Sequence, residues 1–221
     1  MIKVTEFLLI VKKISKYSKL EINEGKIPPD VYIICSCIRN AFCLSYSIRK
    51  KNTFYLYILE SNLIIKFDGK NLRYLGPDER SQSLLLEKAL SLSNQRLSQH
   101  QNDWHESTPG IFMKNLPSNH HIVDFCDSLT MEWIVIFVED VNSFPDFMEI
   151  TPNKLLQLQE NLFIFTLGPI NLRDLNIIHL LSESKEAITY QLPLIKAVED
   201  KILYINFQID RLKEQNKLNL Q

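Results

Sequence analysis

Arginine and lysine are the residue types whose placement points most directly to a ligand. Arg39, Arg49, Lys50, Lys51, Arg73 and Arg80 all fall in the first half of the chain. A guanidinium fork can hold two phosphate oxygens at once, and clustered ammonium groups add attraction for any polyanion. Residues 1–93 hold fifteen Lys and Arg against nine Asp and Glu, a net of plus six; residues 94–221 hold ten against seventeen, a net of minus seven. The whole-chain charge of −1 hides this split. The first half therefore suits a nucleic-acid contact, with plain solvated surface as the other reading of the same charges.

Other reactive types are less directive. Cys35, Cys37, Cys43 and Cys126 fit neither C-x-x-C nor a disulfide framework. Cys35 and Cys37 would project from roughly opposite sides of a helix, so buried reduced thiols are expected rather than a metal site. His120 and His121 occupy a polar stretch and His179 stands apart, with no pair at ligand spacing. Trp104 and Trp133 are expected as core or linker anchors rather than base-stacking platforms. Five glycines stand where ordinary usage of roughly 7% would put about fifteen. Neither G-x-G-x-x-G nor G-x-x-x-x-G-K-[ST] is present, which excludes both glycine-built phosphate cradles.

These side chains need elements to hold them. Glu6 to Val11 is an almost continuous apolar run of the kind buried on both faces of a sheet. Lys12 and Lys13 close it far short of a membrane span or a signal segment, so a cytoplasmic protein is expected. A polar loop from Lys12 to Lys26 leads to Pro28-Pro29-Asp30, with Asp30 as the expected N-cap of a helix over Val31 to Ile48. Thr53 to Leu59 and Leu63 to Phe67 read as a hairpin, followed by the Asp68-Gly69 turn and a short strand around Leu72 to Leu75. Gly76-Pro77-Asp78-Glu79 opens a helix to about Ser93, and a polar stretch from Asn94 to Ser107 follows. Trp133 to Val138 and Leu162 to Leu167 are buried strands. A short helix over Thr151 to Gln159 lies between them and a longer one starts near Asn171, so this half reads as α/β with a largely parallel sheet. Ile195, Val198, Ile202, Ile205, Ile209 and Leu212 form a heptad seam that either packs on its own domain or builds a dimer contact.

The segments EGKIPPDVYIICSCIRNAFCLSYSIRK (24–50), FDGKNLRYLGPDERS (67–81), PGIFM (109–113) and LGPINL (167–172) resemble the archaeal tRNA pseudouridine N1-methyltransferases of the SPOUT superfamily, which act at position 54 of the T-arm. The resemblance covers residues 5–187 and is densest in the first ninety. It implies an α/β fold: a SPOUT-like sheet with helices on both faces and a C-terminal trefoil knot, over residues 1–190; the heptad spacing makes residues 191–221 a helical extension beyond it. It further implies S-adenosylmethionine as cofactor, tRNA as substrate and a homodimer sharing its substrate cleft. A non-catalytic RNA-binding or dimerising relative, or an enzyme acting on pseudouridine in another RNA, is the alternative.

N1 of pseudouridine is a weakly acidic N–H, and methylation requires that proton to leave. Asp68 in the F-D-G segment is the candidate base, with capping of its own turn as the competing role. Asp78 is the rival acid, explained by its place at a helix start. Arg39, Arg49, Lys50, Arg73 and Arg80 are the candidate RNA contacts. Two of the arginines are expected to touch RNA and the others to pair internally, Arg80 with a neighbouring acid. Leu167, Gly168 and Leu172 align with a cofactor loop. Two positions depart from the family pattern. Glu139 replaces a glycine in the V-L-G-D-type turn, and Ile177 replaces a cysteine after the L-G-P turn. Glu139 either swings into water, binds ribose hydroxyls or blocks the pocket.

Overall fold

The computed structural model describes residues 5–96, 103–116, 121–129, 133–137, 148–149, 161–168, 170, 186–192 and 195–218. In chain order the elements are β1 (Thr5–Val11), α1 (Lys19–Asn23), α2 (Pro29–Phe42), β2 (Asn52–Ile58), β3 (Leu63–Asp68), α3 (Glu79–Arg96), β4 (His105–Thr108), β5 (Ile111–Asn115), α4 (His121–Ser128), β6 (Trp133–Phe137), β7 (Met148–Glu149), β8 (Asn161–Leu167), β9 (Glu186–Gln191) and α5 (Val198–Leu218). The strands form one mixed sheet in the order β4-β5-β3-β2-β1-β8-β6-β9-β7.

β1 sits at the centre with parallel partners on both edges, β2 and β8. Every residue of β1 is buried, as its unbroken apolar run requires. Phe7, Leu9, Phe54, Leu56, Phe163 and Phe165 point to one face, against α2 and α3 and against Val198, Ile202 and Ile205 of α5. Leu8, Ile10, Tyr55, Tyr57, Leu162 and Ile164 point to the other, where Ile122, Val123 and Cys126 of α4 cover them. Helices thus flank the sheet on both faces. Val198, Ile202, Ile205 and Ile209 of the heptad seam pack into this core, and α5 lies along α2.

Several local expectations are corrected. The helix expected over residues 31–48 starts at Pro29 and stops at Phe42, with Pro28 at the N-cap position. Asp30 lies inside the first turn and accepts a hydrogen bond from the Ser15 amide at 2.7 Å. Beyond Phe42 the chain folds back, with Cys43 bridging Ile48, because Ser45 and Ser47 favour a turn over continued helix. No strand forms around Leu72 to Leu75; β3 takes β5 as its second neighbour instead. The polar loop after β1 contains α1, which Ser18 and Glu21 close with a reciprocal capping box. The polar stretch after α3 ends in β4, which pairs with β5 across Pro109-Gly110. The expected helices over Thr151 to Gln159 and from Asn171 lie outside the described residues, as do Glu139, Leu172 and Ile177.

The parallel strands β2, β1, β8, β6 and β9 all run in one direction, which gives the sheet an amino edge and a carboxyl edge. The two edges carry different groups of candidate residues.

Candidate functional site

At the carboxyl edge β8, β6 and β9 end side by side. β6 pairs with β8 from Trp133–Asn161 to Ile136–Ile164, and with β9 from Trp133–Glu186 to Phe137–Tyr190. Ligands of open α/β sheets bind outside the carboxyl ends of such strands. Leu167 packs its side chain into the helix-side core, so the backbone is what it can offer a ligand. Gly168 follows with φ +86°, and a Cβ placed on it would meet no atom of the described residues within 4 Å. Its amide-bearing turn is open, and the Ile170 amide closes it by donating to the Gly168 carbonyl at 2.8 Å. This cradle has room for a ligand that approaches backbone closely. The strand β9, with Leu192 just beyond it, belongs to the same edge and was not among the expected elements. The β-favouring Ile188-Thr189-Tyr190 run, alternating apolar and polar through Gln191, is the signal that marks it.

Asp68 lies at the opposite edge. β3 is antiparallel to β2, with Asp68 opposite Thr53. Thr53 in turn pairs with Glu6, and Glu6 with Leu162 near the start of β8. A strand of this length separates the edges by about 20 Å. The Asp68 carboxylate accepts hydrogen bonds from the Lys70 amide at 3.1 Å and from Asn71 Nδ2 at 2.8 Å. Its own amide donates to the Gly110 carbonyl at 2.8 Å. Gly69 must be glycine by contact, since a Cβ there would lie 2.5 Å from the Arg49 carbonyl and 2.6 Å from that of Asn52. Asp78 accepts from the Ser81 amide at 2.8 Å, a capping role at the start of α3.

The basic residues divide into paired and solvated. Arg39 pairs with Glu79 through Nη1 and reaches Ser36 through Nη2. The Glu79 carboxyl is held below its usual range, first by its own backbone amide and then by Arg39. Arg49 is largely buried and grips Asp210 of α5. Burial alone would push the Asp210 carboxyl up, but the Arg49 hydrogen bond and charge, with Lys213, outweigh it and hold it low. Arg80 bonds the Asn23 side-chain oxygen at 2.8 Å rather than a neighbouring acid, so the internal ion pairs belong to Arg39 and Arg49 instead. Lys50, Lys51, Lys70 and Arg73 are exposed, with no ion-pair partner among the described residues. Residues that lay outside the expectations are Tyr46 and Tyr74, which are 102% and 66% exposed and lie within five positions of these cations in the sequence. Aromatic residues within a few positions of a basic run are the signal that could have singled them out.

The four cysteines are not disulfide-bonded, and Cys35, Cys37 and Cys126 are buried. Burial pushes the Cys35 thiol up to about 12 and the Cys37 thiol well above its usual value. Among the described residues no three His, Cys, Asp or Glu side chains converge as a metal site. No described helix is long and apolar enough to cross a membrane. Trp104 is 38% exposed and packs edge-on against Phe125 of α4.

A family model described as "Putative SAM-dependent RNA methyltransferase" matches residues 5–125. The chain is similar to the tRNA (pseudouridine(54)-N(1))-methyltransferase of Methanosarcina acetivorans, with 32% identity over 164 residues, 67% of this chain and 74% of the relative. The protein of the same name from Methanocaldococcus jannaschii is 34% identical over 87 residues, 38% of this chain and 42% of the relative. The match thus spans about two fifths of that relative's length. Among solved structures, Archaeoglobus fulgidus Nep1, crystallised with S-adenosylhomocysteine, aligns at a TM-score of 0.57 over 96% of this chain and 100% of that one. At 13% identity the likeness is one of fold.

Proposed function

The chain belongs to the S-adenosylmethionine-dependent RNA methyltransferase family, and from that premise we propose that it methylates N1 of pseudouridine in tRNA, at the T-arm position named for its relatives. The observation that carries this reading is the open, positive-φ turn at Gly168, where β8 ends beside β6 and β9. When bound there, S-adenosylmethionine supplies an electrophilic sulfonium methyl. Leu167 and Gly168 would hold it through backbone groups, and Leu172, Ile177 and Glu139 complete the proposed set from segments outside the described residues. The C-terminal trefoil knot is part of this proposal on the family likeness alone, with β9 lying between β6 and β7 in the sheet.

Asp68 is the proposed base. Its carboxylate takes the N1 proton, and the hydrogen bonds from Lys70 and Asn71 hold it in place for that transfer. Lys50 and Arg73 are the proposed phosphate contacts on the same edge. Arg39, Arg49 and Arg80 stay in the proposed RNA set as residues that shape this surface through internal partners. Because Asp68 and Gly168 lie at opposite edges of one sheet, a single copy does not bring both to one base. The reading therefore takes them from two copies of a homodimer, with residues 1–190 as the catalytic domain and α5 as its brace.

The experiment is methyl transfer from labelled S-adenosylmethionine to a tRNA carrying pseudouridine, followed by mass analysis of its nucleosides. Label in N1-methylpseudouridine is expected. Cofactor binding without transfer to any RNA would replace the enzyme with a non-catalytic relative, and absence of heat on titrating millimolar cofactor would remove the cofactor site.

A further inference from the structure

The chain between α2 and β2 forms a small hairpin. Cys43 bridges Ile48, the Leu44 amide donates to the Ser47 carbonyl at 2.8 Å, and the Arg49 amide donates to the Phe42 carbonyl at 2.7 Å. Ser45 and Tyr46 occupy the tip, and the Tyr46 ring is wholly in solvent, with Leu44 beside it 42% exposed. Nothing in the fold rewards a bare aromatic ring there: no described hydrogen bond or ring contact involves Tyr46. The root of this hairpin touches the Asp68 turn directly, since a Cβ at Gly69 would meet both the Arg49 carbonyl and the Phe42 ring. Lys50 and Lys51 follow the hairpin, and Lys70, Arg73 and the exposed Tyr74 lie on the loop after Asp68. Arg49 itself is neutralised by Asp210, so the solvated cations at this edge are the lysines and Arg73.

An exposed ring four and five positions ahead of lysines that have no ion-pair partner among the described residues suits unpaired RNA. Bases inside a duplex hide their faces, whereas splayed bases stack on aromatic side chains while cations hold the adjoining phosphates. We propose that Tyr46 is a positioning residue on which an unpaired base of the RNA substrate stacks, with Lys50, Lys51 and Lys70 gripping the neighbouring phosphates. This rests on the reading of the chain as an RNA-acting protein.

The test measures affinity of the full chain for an unmodified tRNA transcript by fluorescence anisotropy across a salt series. Tyr46→Ala is expected to weaken binding roughly 5- to 100-fold with the salt slope unchanged, because it removes stacking and no charge. Tyr46→Phe should restore affinity. Lys50→Ala with Lys51→Ala should lower the salt slope by about one to two. Wild-type affinity in Tyr46→Ala, while the unaltered chain binds and methylates tRNA, overturns the stacking role alone. An equal loss on a blunt RNA duplex, which offers no unpaired base, overturns it as well. An unaltered chain that neither binds nor methylates tRNA overturns the RNA reading and this inference with it.

Discussion

Arg49 and Asp210 form a two-pronged ion pair across 161 positions of chain, with Nη1–Oδ1 at 2.9 Å and Nη2–Oδ2 at 2.6 Å. The pair fastens α5 to the root of the Tyr46 hairpin. The Arg49 side chain is 14% exposed, and its Nε is buried with no hydrogen-bond partner among the described residues, so Asp210 carries most of the compensation for that charge. A buried polar chain runs alongside. Asn52 Nδ2 donates to the Asn206 side-chain oxygen at 3.0 Å, and Asn206 Nδ2 donates to the Asn40 carbonyl at 2.8 Å.

Asp210→Ala leaves the guanidinium unmatched. The carboxylate is 38% exposed, so water recovers part of the loss and the expected cost is about 1 kcal/mol. For a chain of this size that lowers Tm by about 2–4 °C. Asp210→Asn keeps an acceptor and should fall between. Thermal melts of the three proteins check this, and coincident curves would show that α5 does not depend on the pair.

The same pair sets an acid limit. The Asp210 carboxyl is held below its usual range when folded, so its contribution is present above the unfolded value of roughly 3.9 and is lost as pH falls through the lower folded value. Glu79 acts in the same direction through its backbone amide and Arg39. The stability gap between the wild type and Asp210→Ala should therefore narrow as pH drops below about 4. Denaturant titrations at pH 6, 4 and 3 test this, and a constant gap would mean the pair is not ionised in the way the geometry requires.

Thiol chemistry gives an independent reading of the core. Burial, followed by the charge of Glu79, lifts Cys35 to about 12, and burial lifts Cys37 well above its usual value. Cys43, at the foot of the hairpin, is only partly buried, though its thiol is raised too. With a thiol reagent near pH 8 the native chain should label first at Cys43, with Cys35 and Cys37 reacting only on unfolding. Peptide mapping of the labelled sites decides it; early labelling of Cys37 would contradict the packing of α2 under α5.

The central strands were legible because their residues obey local rules. β1 and β8 are continuous apolar runs that only a doubly covered strand can bury, and the hairpin of β2 and β3 is bounded by polar turn residues. The C-terminal seam was legible as a helix, but its partner was not, since heptad spacing describes a face and leaves open what covers it. The end of α2 was misread because Phe42 and Ser45 continue a helical spacing by coincidence. What stops the helix is a bridge between Cys43 and Ile48 that no periodicity records. Asp68 was legible as a turn carboxylate. Its distance from Gly168 was not, because it follows from the parallel pairing of β2 and β8 on either side of β1, which no local pattern records. The ion pairs of Arg39 and Arg49 were equally hidden, joining residues far apart in sequence.

Two glycines separate folding from ligand binding. Gly110 has φ +85°, and a Cβ on it would lie 2.4 Å from the Leu72 amide nitrogen, so Gly110→Ala combines backbone strain with a main-chain clash. A loss of about 3 kcal/mol is expected. Gly168→Ala meets no atom of the described residues and should lose only about 1–2 kcal/mol from its left-handed backbone. Its Cβ would enter the open space assigned to the cofactor. Near-native melting together with lost heat on titrating S-adenosylmethionine is the expected pair of results for Gly168→Ala, and unchanged cofactor binding would move the site elsewhere.

The separation of Asp68 from Gly168 makes the shared-site reading testable by mixing. Asp68→Asn keeps an oxygen for the Lys70 amide while removing the negative charge, so the turn should survive and kcat should fall by roughly 10²- to 10⁴-fold if the carboxylate is the base. Gly168→Ala should be inactive for want of cofactor. In a two-fold dimer that takes Asp68 from one copy and the cofactor turn from the other, a heterodimer of these variants holds one fully wild-type site and one doubly altered site. Equal mixing, with subunits allowed to exchange, then restores about a quarter of the wild-type site number. If both groups served one site within a single copy, every site in the mixture would carry one defect and no activity would return. A different affinity tag on each variant, with recovery of doubly tagged dimers after exchange, confirms that heterodimers form, so that silence in the mixture counts against the two-copy site.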